Sequence, residues 1–141
     1  MAASTADRTD LLQALVQYVN PPVAASTIIY SGTCVCVDSS GNLNLAAATS
    51  GFLFLGLSDQ HVDNSAGIAG AKSCRVTPRG LIRYITLDAV SPATSWIGQP
   101  VYFTDDHTVA LSGSNSIKCG IVVDVPLVAA AGRVTVDVGG F

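Results

Sequence analysis

The sequence predicts an all-β protein: a compact β-barrel or sandwich built from a weak internal duplication, with a short N-terminal α-helical arm. Three observations support this prediction. Short alternating apolar segments recur between turns rich in Gly, Asp, Asn and Ser. The order of these segments in the first half returns in the second. A single helical pattern precedes them. A chain of 141 residues fits one domain, so we divide it into an arm, 1–22, and a β domain, 23–141.

The predicted arm begins at a Ser-Thr pair that can cap a helix. Apolar residues then recur at helical spacing as far as Val19, and the prolines at positions 21 and 22 end the helix. The apolar stripe has to be buried, either on the chain's own β domain or on a neighbouring subunit. Membrane-surface binding is disfavoured, because the polar face carries one arginine and no lysine. The candidate contacts on this stripe are Leu11, Leu12, Leu15 and Val16.

The β domain is predicted to contain ten short strands separated by turn sequences such as DSSGN, TDDHT and SGSNS. Even spacing of short strands is typical of an all-β barrel or sandwich. The predicted strands are Thr27–Ile29, Cys34–Asp38, Leu43–Ala46, Phe52–Ser58, Lys72–Pro78, Gly80–Leu87, Pro100–Thr104, Val109–Leu111, Cys119–Asp124 and Gly132–Val138.

The internal duplication rests on three blocks that occur in the same order in both halves. GTCVCVDSSGNLNL, from Gly32, aligns without gaps with GQPVYFTDDHTVAL, from Gly98, at an offset of 66 residues. FLGLSD then matches KCGIVVD through Gly56 and Gly120, and Arg-Val-Thr occurs near the end of both halves. These matches predict pseudo-repeats at about 32–80 and 98–138, with the crossing between them in residues 81–96.

The pair Cys34 and Cys36 raises the question of a metal or redox site. Residues i and i+2 of a strand share a face, so both thiols point the same way. The spacing is C-x-C in a strand, not the C-x-x-C of a redox helix or a zinc knuckle. The aligned positions in the second half are Pro100 and Tyr102, so the repeated unit does not require sulfur. The N-terminus lacks a secretory pattern, and we expect free thiols in a reducing compartment, with metal binding as the alternative.

Two acidic stretches could bind a cation. TDDHT (Thr104–Thr108) groups two carboxylates with a histidine, and SDQHVDN (Ser58–Asn64) alternates Asp, His and Asp. The first aligns with the turn DSSGN, and Asp and Asn form turns through side-chain bonds to the backbone. We therefore predict turns here, with no metal, no cofactor and no catalytic residue, and keep a bound ion as the alternative.

The low charge of the chain limits the kinds of molecule that it is expected to bind. Charged residues are 12% of the chain, against about 25% in ordinary domains, and the net charge is −3. The basic residues of KSCRVTPRGLIR are too sparse, and too poor in aromatic neighbours, to indicate nucleic-acid binding. No apolar run reaches the roughly 18 residues of a transmembrane helix. So few charges predict a surface covered by protein partners, as in a homo-oligomer or larger assembly.

The phrases IGQPVYFTDD, KCGIVVDV and GRVTVDV, with their earlier copies, resemble the small head-decoration, or capsid cement, proteins of tailed bacteriophages. The resemblance spans about Gly32 to Val138 and leaves the arm out. It implies a structural virion protein, not an enzyme, assembled in the host cytoplasm and placed on the capsid exterior. Such a protein binds the major capsid protein, bridges and stabilises its subunits, and forms a homotrimer.

Two other classes stay open. The chain could be another phage structural component, such as a head-fibre base or a tail protein. It could also be a small β-barrel enzyme or a ligand-binding or metal-binding module that uses TDDHT or SDQHVDN.

Overall fold

A computed structural model describes residues 18–126 and 132–139 of the chain. Within these ranges the secondary structure is mostly β, which confirms the predicted all-β fold. One helical turn, α1 (Arg79–Ile82), and two 3₁₀ turns, Thr94–Trp96 and Ser114–Ser116, interrupt the strands. The strands are β1 (Thr27–Ile29), β2 (Cys34–Val37), β3 (Leu43–Leu45), β4 (Leu53–Ser58), β5 (Val62–Asn64), β6 (Val76–Pro78), β7 (Tyr84–Ala89), β8 (Pro100–Phe103), β9 (Thr108–Ala110), β10 (Lys118–Asp124) and β11 (Arg133–Asp137).

The second half of the chain forms a closed five-stranded barrel, the C-terminal barrel, in the order β10-β11-β7-β9-β8. All pairs are antiparallel except β7 with β9. Alternate residues of each strand point inward, so β-branched and aromatic side chains fill the interior. The fully buried β-branched and aromatic residues of the barrel strands are Val101, Phe103, Val109, Val122, Val134 and Val136.

The first half forms a four-stranded sheet in the order β3-β2-β4-β6. The segment 19–23 joins the two edges of this sheet: Val19 pairs with Val76 of β6 in the antiparallel sense, and Val23 pairs with Leu43 of β3 in the parallel sense. We call this sheet and segment the N-terminal unit. Residues 19–22, at the end of the predicted arm, are thus hydrogen-bonded into the β domain.

The two halves repeat each other in strand order and in register. β3-β2-β4-β6 corresponds to β9-β8-β10-β11, and segment 19–23 corresponds to β7. At the offset of 66 residues, the pairing of Cys36 with Asn44 matches that of Tyr102 with Ala110. The β2–β4 and β8–β10 pairs carry a register shift at the same place. The duplication therefore extends further upstream than the sequence blocks, to Val19.

Gly56 and Gly120, through which the second block was aligned, occupy equivalent positions in β4 and β10. A Cβ on Gly56 would lie 2.0 Å from the carbonyl oxygen of Thr77, and one on Gly120 would lie 2.1 Å from that of Asp137. Both distances are far below van der Waals contact. Each glycine therefore lets a neighbouring strand approach closely.

The Arg-Val-Thr match of the third block is two residues out of the structural register. The sequence match aligns Val76 with Val134. In the structure, however, Val76 pairs with Ser58. The residue equivalent to Ser58 in the second half is Val122, and Val122 pairs with Val136. A shift of two residues keeps every side chain on its own face. The inward valines therefore match in either register, and the sequence pattern does not distinguish the two.

Local boundaries differ from prediction in three places. The predicted strand Lys72–Pro78 is shorter in the structure, where β6 begins at Val76. The N-terminal part of the predicted strand Gly80–Leu87 is the helical turn α1, and the strand begins at Tyr84 after Arg83 takes a positive φ of 66°. Strand β5 lies in a stretch predicted as loop and pairs with β1. The predicted arm helix and its candidate contacts, Leu11, Leu12, Leu15 and Val16, lie outside the described residues.

Candidate functional site

Strand β2 carries the C-x-C pair and separates the two cores of the molecule. Cys34 and Cys36 are buried on the face that packs with the C-terminal barrel, whereas Val35 is buried in the core of the N-terminal unit. The common face expected from strand geometry is therefore present. All four cysteines of the chain are free and buried. The pair serves as packing between the two units.

Burial makes these thiols weak acids. It raises the pKa of both Cys34 and Cys36 to about 12, because a thiolate loses its hydration there. For Cys34, the neighbouring Cys36 and then Asp106 contribute to this rise in pKa after burial. The pKa of Cys119 is raised well above its ordinary value, first by burial and then by Cys34 and Cys36. Metal binding and disulfide exchange both need a thiolate, and this environment opposes its formation.

The acidic turn of TDDHT, between β8 and β9, is held by its own side chains. The Asp105 carboxylate accepts a 2.9 Å bond from the His107 amide, and the Thr104 amide donates to the Thr108 carbonyl at 2.9 Å. The turn after β2 repeats this arrangement, with Asp38 closing on Asn42. This geometry agrees with the turn predicted from sequence.

The same turn brings three possible cation ligands together. Ligand atoms of Asp105, Asp106 and His107 all lie within 4.8 Å of one another, the one such group in the described part of the chain. His107 Nδ1 is 2.9 Å from an Asp106 carboxylate oxygen and 3.2 Å from one of Asp105. The hydrogen bond to Asp106 and the charge of Asp105 raise the pKa of His107. A protonated imidazole balances the two carboxylates, and a cation would have to displace it.

The raised pKa of His107 predicts a pH dependence. Because the folded-state pKa lies above the ordinary 6.5, the ion pair stabilises the fold fully below about pH 6.5 and less as pH rises through the folded pKa. We expect His107→Gln to be less stable than the parent at pH ~5.5, with a difference that shrinks as pH rises through the folded-state pKa. Urea unfolding of both proteins at several pH values measures this, with His61→Gln as control. A stability difference independent of pH would contradict the assignment.

The alternating acids of SDQHVDN are not gathered into one site. The Asp59 carboxylate accepts a 2.7 Å bond from the Thr77 hydroxyl. That of Asp63 accepts a 2.9 Å bond from the backbone two residues further on. The His61 ring instead packs edge-on against Tyr30, at 5.4 Å between centroids. The structure thus places these three side chains in separate local contacts.

A largely apolar groove of about 780 Å³ opens where the two units meet. Its walls include Val37, Leu53, Leu55 and Pro78 of the N-terminal unit and Ile117 beside the C-terminal barrel. Leu53 is 70% exposed there. Sequence analysis did not single out this groove, although GFLFLGL is apolar on both faces of its strand, a pattern that indicates cover on both sides.

Other large apolar side chains are also exposed, in agreement with the low charge of the chain. Ile68 is 78% and Val90 81% exposed. Further exposed apolar residues are Tyr18, Tyr30, Leu81, Tyr84, Ile97, Leu111 and Val123. Surfaces of this kind bind other proteins when they form contiguous patches.

None of the helices in the described part of the chain is long and apolar enough to span a membrane. Comparisons with protein-family models, with curated proteins and with solved structures find no match to this chain.

Proposed function

We propose that this protein is a structural virion protein that binds the outside of a tailed-phage capsid and stabilises it by bridging major capsid subunits. The resemblance of its repeated strand-and-turn phrases to capsid cement proteins names the class. The observation that carries the proposal is the exposed apolar surface of a low-charge β scaffold, on which Ile68 is 78% and Val90 81% exposed. Burial of such side chains is the main favourable term in most protein association.

The duplicated scaffold suits a protein that acts by contact area. Each of the two packed β units is built around buried apolar residues, and a preorganised scaffold loses little conformational entropy when it docks. A homotrimer would present each contact three times and gain strength by multivalency. Each standard-size interface would bury on the order of 1,600 Å².

The arm adds a second contact in this proposal, through its apolar stripe. The structure sets the limit of a useful truncation: the Val19 amide donates to the Val76 carbonyl at 2.9 Å, and the Val76 amide donates back at 2.8 Å. A deletion that removes Val19 would therefore damage the β domain. A deletion of residues 1–17 leaves this pairing in place.

Co-sedimentation with empty capsids of the phage that encodes the chain tests the proposal. We expect the full chain to sediment with capsids to a saturating ratio, and the protein lacking residues 1–17 to bind at least ~10-fold more weakly. Light scattering in solution should give about three times 14.4 kDa. Unchanged binding after truncation would remove the role of the arm.

Failure of the full chain to sediment with capsids, while it binds phage tails or head fibres, would favour another structural component. Stoichiometric metal in the purified protein, lost in Asp106→Ala, would favour the metal-binding alternative at the acidic turn. Asp63→Ala is the matched control, because that carboxylate lies outside the cluster of three ligands.

A further inference from the structure

The chain enters the described structure beside the apolar groove. Val19 pairs with Val76 in the antiparallel sense. The end of β6 on the N-terminal side of this pairing is Pro78, which lines the groove.

In the C-terminal barrel, the surface equivalent to the groove is covered. By the register of the duplication, Ile117 corresponds to Leu53, and Phe103 corresponds to Val37. Ile117 is 5% exposed and Phe103 is fully buried, whereas Leu53 is 70% exposed. The groove is thus the uncovered form of a surface that is buried in the other half of the same chain.

The duplication also indicates which segment would cover it. Helical turn α1 ends one residue before β7, and its Ile82 packs against the hydrophobic cluster that fills the C-terminal barrel and its junction with the N-terminal unit. Val19 corresponds to Ile85 of β7, because their partners Val76 and Val136 are equivalent. At this offset of 66 residues, LVQYV (15–19) aligns with LIRYI (81–85). Leu and Tyr are identical in the two segments, and Val is aligned with Ile at two positions.

We propose that residues 13–17 of the chain dock at the groove, with Val16 packed against Leu53 and Leu55. Val16 corresponds to Ile82, which is half-buried, and Leu15 corresponds to Leu81, which is 57% exposed. Val16 therefore faces the groove and Leu15 faces outward. This assignment does not depend on the proposed function. Under this assignment Leu15, together with Leu11 and Leu12, remains available to contact a partner protein.

Thiol labelling of the full-length protein tests the proposal. Val16→Cys and Leu15→Cys are adjacent, and the native cysteines are all buried, so a maleimide reports on the introduced thiol above the slow background of the parent protein. We expect the thiol at position 16 to react roughly 10-fold or more slowly than that at position 15, because it reacts only from locally opened molecules. Equal rates would overturn the proposal.

Two further measurements identify the occupant and the place. Protection at position 16 should be independent of protein concentration over a 100-fold range; protection that grows with concentration would assign the groove to a second copy and overturn the proposal. Adding Leu53→Asp to Val16→Cys should restore fast labelling, and Ile68→Asp, on an equally exposed side chain, should not. Labelling unaffected by Leu53→Asp would place the segment elsewhere. No capsid is present, so the outcome is separate from that of co-sedimentation.

Discussion

Gly120→Ala is expected to destabilise the protein by about 3 kcal/mol or more, at the upper end of overpacking effects. The new Cβ would lie 2.1 Å from the Asp137 carbonyl oxygen and 2.8 Å from a methyl group of Val136. The nearest atom belongs to the backbone of β11, so a side-chain rotation cannot relieve the clash. Either β10 and β11 separate, with loss of ladder hydrogen bonds, or the backbone is strained.

Urea unfolding measures the effect, and the duplication supplies a replicate. Gly56→Ala places a Cβ 2.0 Å from the Thr77 carbonyl and should cost a similar amount. Gly80→Ala is the matched control: it lies in α1, its Cβ would meet nothing within 4 Å, and alanine favours a helix by ~0.5–1 kcal/mol. A loss below about 1 kcal/mol in both Gly56→Ala and Gly120→Ala would refute the close approach of the strands.

Phe103→Ala should cost about 3–5 kcal/mol, the usual range for a fully buried aromatic residue. The Phe103 ring has no exposed surface. It meets the Phe54 ring edge to face, at 4.8 Å between centroids and 73° between planes. Phe54 belongs to the N-terminal unit, so this pair joins the two halves of the molecule.

A double-mutant cycle separates this contact from the rest of the burial. Phe54→Ala and Phe103→Ala should show a coupling of ~0.5–1.5 kcal/mol in urea unfolding. Val90→Ala, at a residue that is 81% exposed, should change stability by less than ~0.5 kcal/mol. Additive losses from the two phenylalanines would contradict direct packing between the units.

Local sequence signals were sufficient for most strands. The hairpin from Cys34 to Leu45 was predicted almost residue for residue, because strand alternation and the Asp turn are both properties of neighbouring residues. The faces of Cys34 and Val35 followed from the same alternation. The acidic turn at Asp105 was recognised as a turn by its alignment with its counterpart.

Features that depend on contacts between residues far apart in the sequence were not predicted from the sequence. The segment 19–23 has the pattern of a helix end, because of its two prolines, yet it closes the N-terminal unit through contacts with Val76 and Leu43. The short strand β5 lacks an apolar alternation of its own and exists through its pairing with β1. The groove at Leu53 likewise requires both units to be in place.

The fold class, the repeated order of strands and turns, and the equivalence of Gly56 and Gly120 could all be predicted from the sequence. This was possible because alternation, turn chemistry and the duplication are written in short stretches of chain. The register of β11, the closure of each unit, the close strand approach at Gly56 and Gly120 and the exposure of Leu53 became known from the folded structure. The sequence does not decide the register of β11, because a shift of two residues along a strand keeps every side chain on the same face of the sheet. Exposure is also not decided by local sequence, because it depends on which distant strands pack together.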